Sequence, residues 1–429
     1  MSIETEQPHN IGANYKIDIE IEGINISKFL KHVRLTNSIN GIYPILILDL
    51  AIDSGNIILY EIFGQTPIDV TITLMGEQQL PKETVTFQVV YLQSNLNLVP
   101  KLISGSKDDQ DRQPISLSCI ILPCYQLLAT GINTLFEEST GQAPLDILTA
   151  ALSEKSITGS MIKIDDRGKN KDPINQILIP PMSVIRTIDY IHEKYGLFTG
   201  SLFRYCHIDP ITSQPVLTIK DLSQTIKDAP SIIIWQLPVG DDGNLRETII
   251  NKCIDEKNYF IDSPIATTNY ANSNIITFRY NKTQIIHPED NLYATQSYTM
   301  DDIMTKYATS ENKKLQFLDS NLKNIETKYC IDLKGFAYEY PYNDCAITSR
   351  MASQLKNTFQ ISVAVQNDLR ISNLMNVGGT AQLETAVNDF SKYSGKYIIK
   401  NSDISWNKAG DQWECQCNLQ LFRSSRSIS

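Results

Sequence analysis

The chain has 429 residues, with 42% apolar and 20% charged side chains, ordinary values for a globular protein of roughly two to four domains. Its 20 Gly and 18 Pro exclude a collagen-like or low-complexity chain, and no apolar run approaches the roughly twenty residues of a membrane-spanning helix. Lys and Arg number 38 against 48 Asp and Glu, so the net charge is −10, which argues against a protein that binds nucleic acid by neutralising phosphates.

The opening residues MSIETEQPHN carry acids and no apolar stretch, unlike a secretory signal. Strands follow. Ile17, Ile19 and Ile21 alternate with Asp18, Glu20 and Glu22, and Gly23 ends the run. Ile68, Val70, Ile72 and Leu74 alternate with Asp69, Thr71 and Thr73; Val85, Phe87, Val89 and Tyr91 alternate with Thr86, Gln88 and Val90. A period of two puts one face in a core and the other in solvent. Shorter strands are expected at 31–36, 44–50 and 56–60. Together these suggest a small antiparallel barrel or sandwich. The polar stretch 104–111 reads as a linker.

Pro144 fits the first position of a helix over 144–153, with Leu145, Leu148 and Leu152 on one face. The charged stretch 165–172 reads as a loop. Ser183 is placed to cap a helix whose apolar stripe is Val184, Ile185, Ile188, Ile191 and Tyr195, and Gly196 to end it. Strands are expected at 200–208 and 215–220. Between 240 and 340 only a strand at 275–280 and a polar stretch at 307–314 stand out. Asn343 or Asp344 caps a helix over 344–358; strands begin near Gln360 and over 395–400. The last strand sets Trp413, Cys415, Cys417, Leu419 and Leu421 on one side and Glu414, Gln416, Asn418 and Gln420 on the other.

No catalytic constellation is visible. His192-Glu193-Lys194-Tyr195-Gly196 lacks the second histidine of a zinc-protease helix and reads as a solvated helix face. Phosphate-binding loops and nucleophile elbows are absent: Ser394-Gly395-Lys396 lacks the leading glycine, and Val377-Gly378-Gly379 reads as a tight bend. The eight cysteines (119, 124, 206, 253, 330, 345, 415 and 417) include no CxxC pair. Reduced, mostly buried thiols are the expectation, including Cys119/Cys124, Cys206-His207 and the same-face pair Cys415/Cys417. The acid pairs Glu137-Glu138, Asp165-Asp166, Asp241-Asp242 and Asp301-Asp302 are sequence neighbours, which does not make them face each other across a cleft. Asp241-Asp242-Gly243-Asn244 is a turn composition. The 20 tyrosines suit protein interfaces or sugar binding alike. No catalytic, cofactor-binding or metal-binding residue is assigned, and no cofactor is expected.

The order of features carries a resemblance. The run IDIEIEGINISKFLKHVRLTNSINGIYPILILDLAID is followed by GQTPIDVTITLMGE and ETVTFQVVYLQS. A mixed block contains IPPMSVIRTIDYIHEKYGLFTGSLFRY. The end holds QISVAVQNDLRISNLMNVGG and YSGKYIIKNSDISWNKAGDQWECQCNLQLFRSSRS. In this order the chain resembles the central baseplate hub of contractile-tailed phages, a family related to the spike-hub part of type VI secretion and other contractile injection machines. The matching stretches cover about half of the chain, and 240–340 matches nothing.

The resemblance implies an α+β, β-rich multidomain protein. Two small antiparallel, tail-tube-like β-barrels stand at the chain ends, over 1–103 and 342–429. A peripheral mixed α/β domain spans 112–239, and 240–341 is part peripheral and part strands of the second barrel. It further implies a homotrimer that presents six tube-like units to a hexameric tail tube and holds a trimeric central spike. Baseplate wedge or plug proteins are further partners; DNA passes only transiently through the channel, and no stable membrane insertion is implied. The location is the virion tail baseplate, assembled in the bacterial cytoplasm. Asp18, Glu20, Glu22 and Asp69 are candidates for a polar channel face, or simply for solvated strand faces. A tail-borne carbohydrate-binding adhesin and a cell-wall hydrolase are the alternatives; in a hub, Trp406 and Trp413 are expected inside a subunit.

Overall fold

A computed structural model describes residues 15–39, 41, 43–53, 66–76, 81–96, 112–157, 161–198, 202–209, 214–221, 225, 228–238, 243–253, 257–262, 265–269, 282–286, 295–299, 330–331, 359–365, 370–385, 393–410 and 412–423. The expected strands at 56–60 and 275–280, the linker at 104–111, the polar stretch at 307–314, the helix at 344–358, Cys345 and the pairs Asp241-Asp242 and Asp301-Asp302 lie outside them.

The first strands are β1 (Tyr15–Ile21), β2 (Ile24–Asn25), β3 (Leu30–Ser38), β4 (Ile45–Asp53), β5 (Ile68–Met75), β6 (Pro81–Leu96) and β7 (Arg112–Ile121). The middle holds α1 (Leu122–Ala129), β8 (Gly131–Gln142), α2 (Pro144–Glu154), β9 (Ile162–Ile164), β10 (Ile174–Ser183), α3 (Val184–Tyr195), β11 (Leu202–Ile208) and β12 (Pro215–Asp221). Next come β13 (Ile232–Gln236), α4 (Gly243–Lys252), β14 (Asn258–Ile261) and β15 (Ala266–Asn269). Among the described residues, strands β16 (Lys282–Ile286), β17 (Thr295–Thr299) and β18 (Cys330–Ile331) pair with one another. The last elements are β19 (Phe359–Val365), α5 (Ile371–Leu374), β20 (Thr380–Thr385), β21 (Gly395–Ala409) and β22 (Gln412–Arg423).

The alternating runs form the strands they predict. Ile17, Ile19, Ile21, Ile68, Val70, Ile72, Leu74, Val85, Phe87 and Val89 are all buried. The helix over 184–195 begins at Ser183, whose hydroxyl accepts from Arg186 N at 3.4 Å, and ends at Gly196, with φ 71°. Pro144 opens α2 as expected. The strand starting at Gly395 does not stop at residue 400. It bends at a bulge between Ile399 and Asn401 and runs on to Ala409, because Ile404 and Trp406 inside and Asp403 and Ser405 outside keep the period of two. Gly243 and Asn244 open helix α4 rather than a turn.

One sheet of fourteen strands unites both ends of the chain. The N-terminal run is antiparallel, in the order β3-β4-β7-β6-β5-β1-β2. Strand β7, which begins at the residue where a peripheral block is expected, lies inside this run between β4 and β6. The long hairpin β21–β22 joins this run to the C-terminal strands. Residues 401–407 of β21 pair with β3, whereas 395–398 pair with β20, which continues into β13 and β14 as parallel neighbours. On the other side of the hairpin, β22 pairs with β19, and β19 with β15. Two barrels separated along the chain are therefore not what the ladders describe. Two sheet units share their last hairpin, and no ladder among the described residues closes a ring. Strand β1 still returns alongside the hairpin: it runs near β22, and the Tyr15 ring meets Trp406 of β21 edge-on, with centroids 6.0 Å apart.

The middle block has a core of its own, built from Ile132, Leu145, Leu148, Ile177, Ile179, Ile185, Ile188 and Ile191 among others. Its three-stranded sheet β11-β12-β9 is the boundary. Phe203, Tyr205, Cys206 and Ile208 of β11 belong to the core of the large sheet, while Leu217 and Ile219 of β12 belong to the core of the block. No described helix is long and apolar enough to cross a membrane.

Candidate functional site

The expected polar strand faces assemble into one surface. Across β1, β5 and β6 the outward rows are Lys16–Thr73–Thr84, Asp18–Thr71–Thr86 and Glu20–Asp69–Gln88. Hydroxyls link the strands: Thr71 to Thr86 at 3.0 Å and Thr84 to Thr73 at 3.4 Å. Lys16 Nζ lies 2.7 Å from Asp18, whereas Glu20 and Asp69 stand directly opposite each other, a like-charge pairing that costs stability. Glu22 departs from the row. It sits in the turn after β1 at φ 51° and accepts from Thr66 Oγ1 at 3.3 Å.

The same kind of surface continues across β4, β3 and β21. His32 Nδ1 lies 2.8 Å from Asp49 Oδ2. Arg34 spans to β21 and donates to both carboxylate oxygens of Asp403, through Nε at 2.8 Å and through an Nη at 2.7 Å. This paired carboxylate holds the guanidinium proton more tightly than usual. At the seam between the two sheet units a chain of hydrogen bonds crosses four strands. Ser38 Oγ donates to Asn401 Oδ1 at 2.6 Å, Asn401 Nδ2 to Gln420 Oε1 at 2.5 Å, and Gln420 Nε2 to Gln360 Oε1 at 2.8 Å. Beyond the seam, Ile398, Ile399, Leu421 and Phe422 are all buried, so hairpin residues near β20 are covered on both faces. Across these rows the acids Asp18, Glu20, Asp49, Asp69 and Asp403 outnumber Lys16 and Arg34; threonine, serine, asparagine, glutamine and His32 lie between them, with Ile45 and Ile47 of β4 opposite Thr36 and Arg34.

The other singled-out residues have structural partners. His192 accepts from Leu197 N at 3.2 Å just beyond its helix, and Glu193 is exposed. Ser394 Oγ meets Thr385 Oγ1 at 2.7 Å, and Lys396 Nζ donates to the Asp228 carbonyl at 3.0 Å, so both are used within the fold. Gly378 makes the expected bend at φ 82°. Asp165 is held by Arg167, which reaches on to Asp228 at 2.7 Å; Glu137 and Glu138 lie exposed on β8. Among the described residues no group of His, Cys, Asp and Glu could hold a metal. Cys119, Cys124, Cys206 and Cys417 are buried free thiols, and burial pushes Cys119 and Cys415 up to about 12, which keeps them protonated. Trp406 and Trp413 are buried, and Trp235 is half-buried with Nε1 donating to Asn258 at 3.0 Å.

Several partnerships carry no motif: Arg34 with Asp403, His32 with Asp49, and Leu135 with Leu178 on the middle block. The signal that was available for the first two is their outward parity beside buried Val33, Leu35 and Leu48.

With this geometry the chain is similar to a tail protein of Neisseria meningitidis MC58 (TM-score 0.54, 11% identity, covering 96% of this chain and 97% of that one). Its fold is that of phage tail proteins. The 43 kDa tail protein of prophage MuSo2 from Shewanella oneidensis matches over 96% of this chain and its own full length (TM-score 0.53, 12% identity). The Francisella PdpA–VgrG complex contains a chain of which 58% is matched by 96% of this one (TM-score 0.50, 11% identity). No protein-family model matches the chain, and no curated protein matches it in sequence. The resemblance to baseplate hub proteins thus holds at the level of fold.

Proposed function

We propose that this chain is the hub subunit of a phage tail baseplate, a structural part rather than an enzyme. Three copies form a ring. The two sheet units of each copy, joined by β21–β22, supply six similar units that match a hexameric tail tube on one side, while the trimer holds a central spike on the other. The residues 122–221 stand outside this ring, facing wedge or plug proteins. The outward rows of β1, β5, β3 and β21 line the channel, where their acid surplus keeps passing DNA from adhering. The virion tail is the place of action.

The observation that carries this reading is the shared hairpin. A single subunit that contributes two sheet units locked into one frame is what a threefold object needs to present a sixfold face. The three tryptophans favour it over an adhesin, since none stands in an exposed aromatic cluster. The test is mass in solution, by light scattering after size exclusion at several concentrations, followed by binding to purified tube and spike proteins. The reading expects a species of three times 48.4 kDa that binds both. A monomer at every concentration that binds neither, yet cleaves cell wall or binds glycans, would overturn it.

A further inference from the structure

The middle block displays a surface that no feature above uses. Strands β8 and β10 form a sheet of two, and no other described strand pairs with either. One face is filled: Ile132, Ile177 and Ile179 pack into the core of the block beside α2 and α3. On the other face Leu135 and Leu178 stand directly opposite each other across the ladder, 54% and 48% exposed. An unpaired strand edge is a template for a further strand, and a stripe of apolar side chains running across the strands continues naturally onto it. The next row on the same face pairs Gln176 with the exposed Glu137, and exposed Glu138 follows along β8.

We propose that the free edge of β8 docks an extended segment of a partner protein with alternating apolar and basic side chains. In an antiparallel addition, an apolar residue sits beside Leu135 and completes a row of three with Leu178. The partner residue two positions earlier then stands beside Glu137, where a lysine or arginine is favoured and an acid is opposed. Charge is what selects this occupant. A second copy of the chain presenting the same edge brings a second pair of glutamates to it, which is unfavourable. The surface belongs to one subunit and does not depend on the proposed ring.

The probe is a short fluorescein-labelled peptide alternating threonine with valine and lysine, compared by anisotropy with its glutamate-for-lysine counterpart. The intact protein binds the lysine peptide. The variant Leu135→Thr/Leu178→Thr and the variant Glu137→Lys each weaken binding by about tenfold or more, as does the glutamate peptide. All three altered side chains and their replacements face solvent, and unchanged circular dichroism and melting temperature certify the fold. Equal binding of both peptides, equal binding by the leucine variant, or no binding of the lysine peptide overturns the proposal. A loss of mass in light scattering on changing the two leucines also overturns it, in favour of contact between copies.

Discussion

The side-chain amide of Asn37 donates to the main-chain carbonyl of Cys206 at 2.7 Å, tying the end of β3 to β11. The same Nδ2 donates to the Met375 carbonyl at 3.2 Å, so one buried amide joins the large sheet, the middle block and the turn after α5. Removing it leaves two carbonyls without this donor in the interior. Asn37→Ala is expected to lower stability by about 2 kcal/mol. Asn37→Asp places carboxylate oxygen against carbonyl oxygen and is expected to cost more at neutral pH than in mild acid. Urea unfolding followed by tryptophan fluorescence checks both; an unchanged midpoint for Asn37→Ala contradicts the linking role.

Glu83 acts at a second junction. From the start of β6 its Oε2 accepts from Ile371 N at 2.6 Å and its Oε1 from Ser372 N at 3.1 Å. A carboxylate 288 residues away in sequence therefore caps α5, whose Asn373 Nδ2 in turn donates to the Tyr259 hydroxyl at 3.0 Å. Charged caps of this kind stabilise by about 1–2 kcal/mol. Glu83→Gln is expected to lose about half of that and Glu83→Ala all of it. Hydrogen exchange resolves the effect in place: protection should fall at 371–375 before it falls in β5.

Gly378 permits a close approach that no other residue allows. Its φ of 82° is left-handed, and a Cβ there would lie 2.7 Å from the Tyr205 ring. Gly378→Ala is expected to cost about 2–4 kcal/mol through strain and overlap together. The two causes separate in Tyr205→Leu/Gly378→Ala, where the overlap is relieved and the backbone strain stays. A double variant no better than Gly378→Ala would show that the overlap contributes nothing.

These junctions explain how much could be read in advance. The rows Ile17-Ile19-Ile21 and Ile68-Val70-Ile72-Leu74 were legible because each strand has one buried and one solvated face. The helix over 184–195 was legible from its Ser183 cap and Gly196 stop. No strand was expected where β10 runs; its Pro180 and Pro181 lack the N–H of a regular ladder and sit at the register shift between Ile179 and Met182, where a strand tolerates them. The shared hairpin was hidden because pairings such as Val33 with Trp406 leave no local trace. Asn37 did leave one. It occupies the inward parity of Val33 and Leu35, and a polar residue in an apolar row needs buried partners. The outward acids Asp18, Glu20 and Asp69 were legible as a face, but their neighbours across the ladder were not.

The middle block should also carry an acid sensitivity of its own. His207 lies on β11 with its ring 5.4 Å from Tyr205 and its Nδ1 3.4 Å from Thr218 Oγ1. Burial lowers its pKa from the ordinary 6.5 to about 4; Lys163 and Lys220 push the same way, and Asp209 opposes them. The sign follows from proton counts. Between pH 6.5 and 4 the unfolded chain binds a proton that the folded chain refuses, so stability is full above 6.5 and falls as pH drops through this window. By pH 4.5 the loss is on the order of 2–3 kcal/mol. Carboxylates add their own loss at the acid end, so the comparison is with His207→Gln, which cannot take up the proton. Between pH 7 and 4.5 the urea midpoint of the native chain should fall more steeply than that of the variant. Parallel lines would mean that the imidazole is protonated in the folded state and that β11 is open to water there.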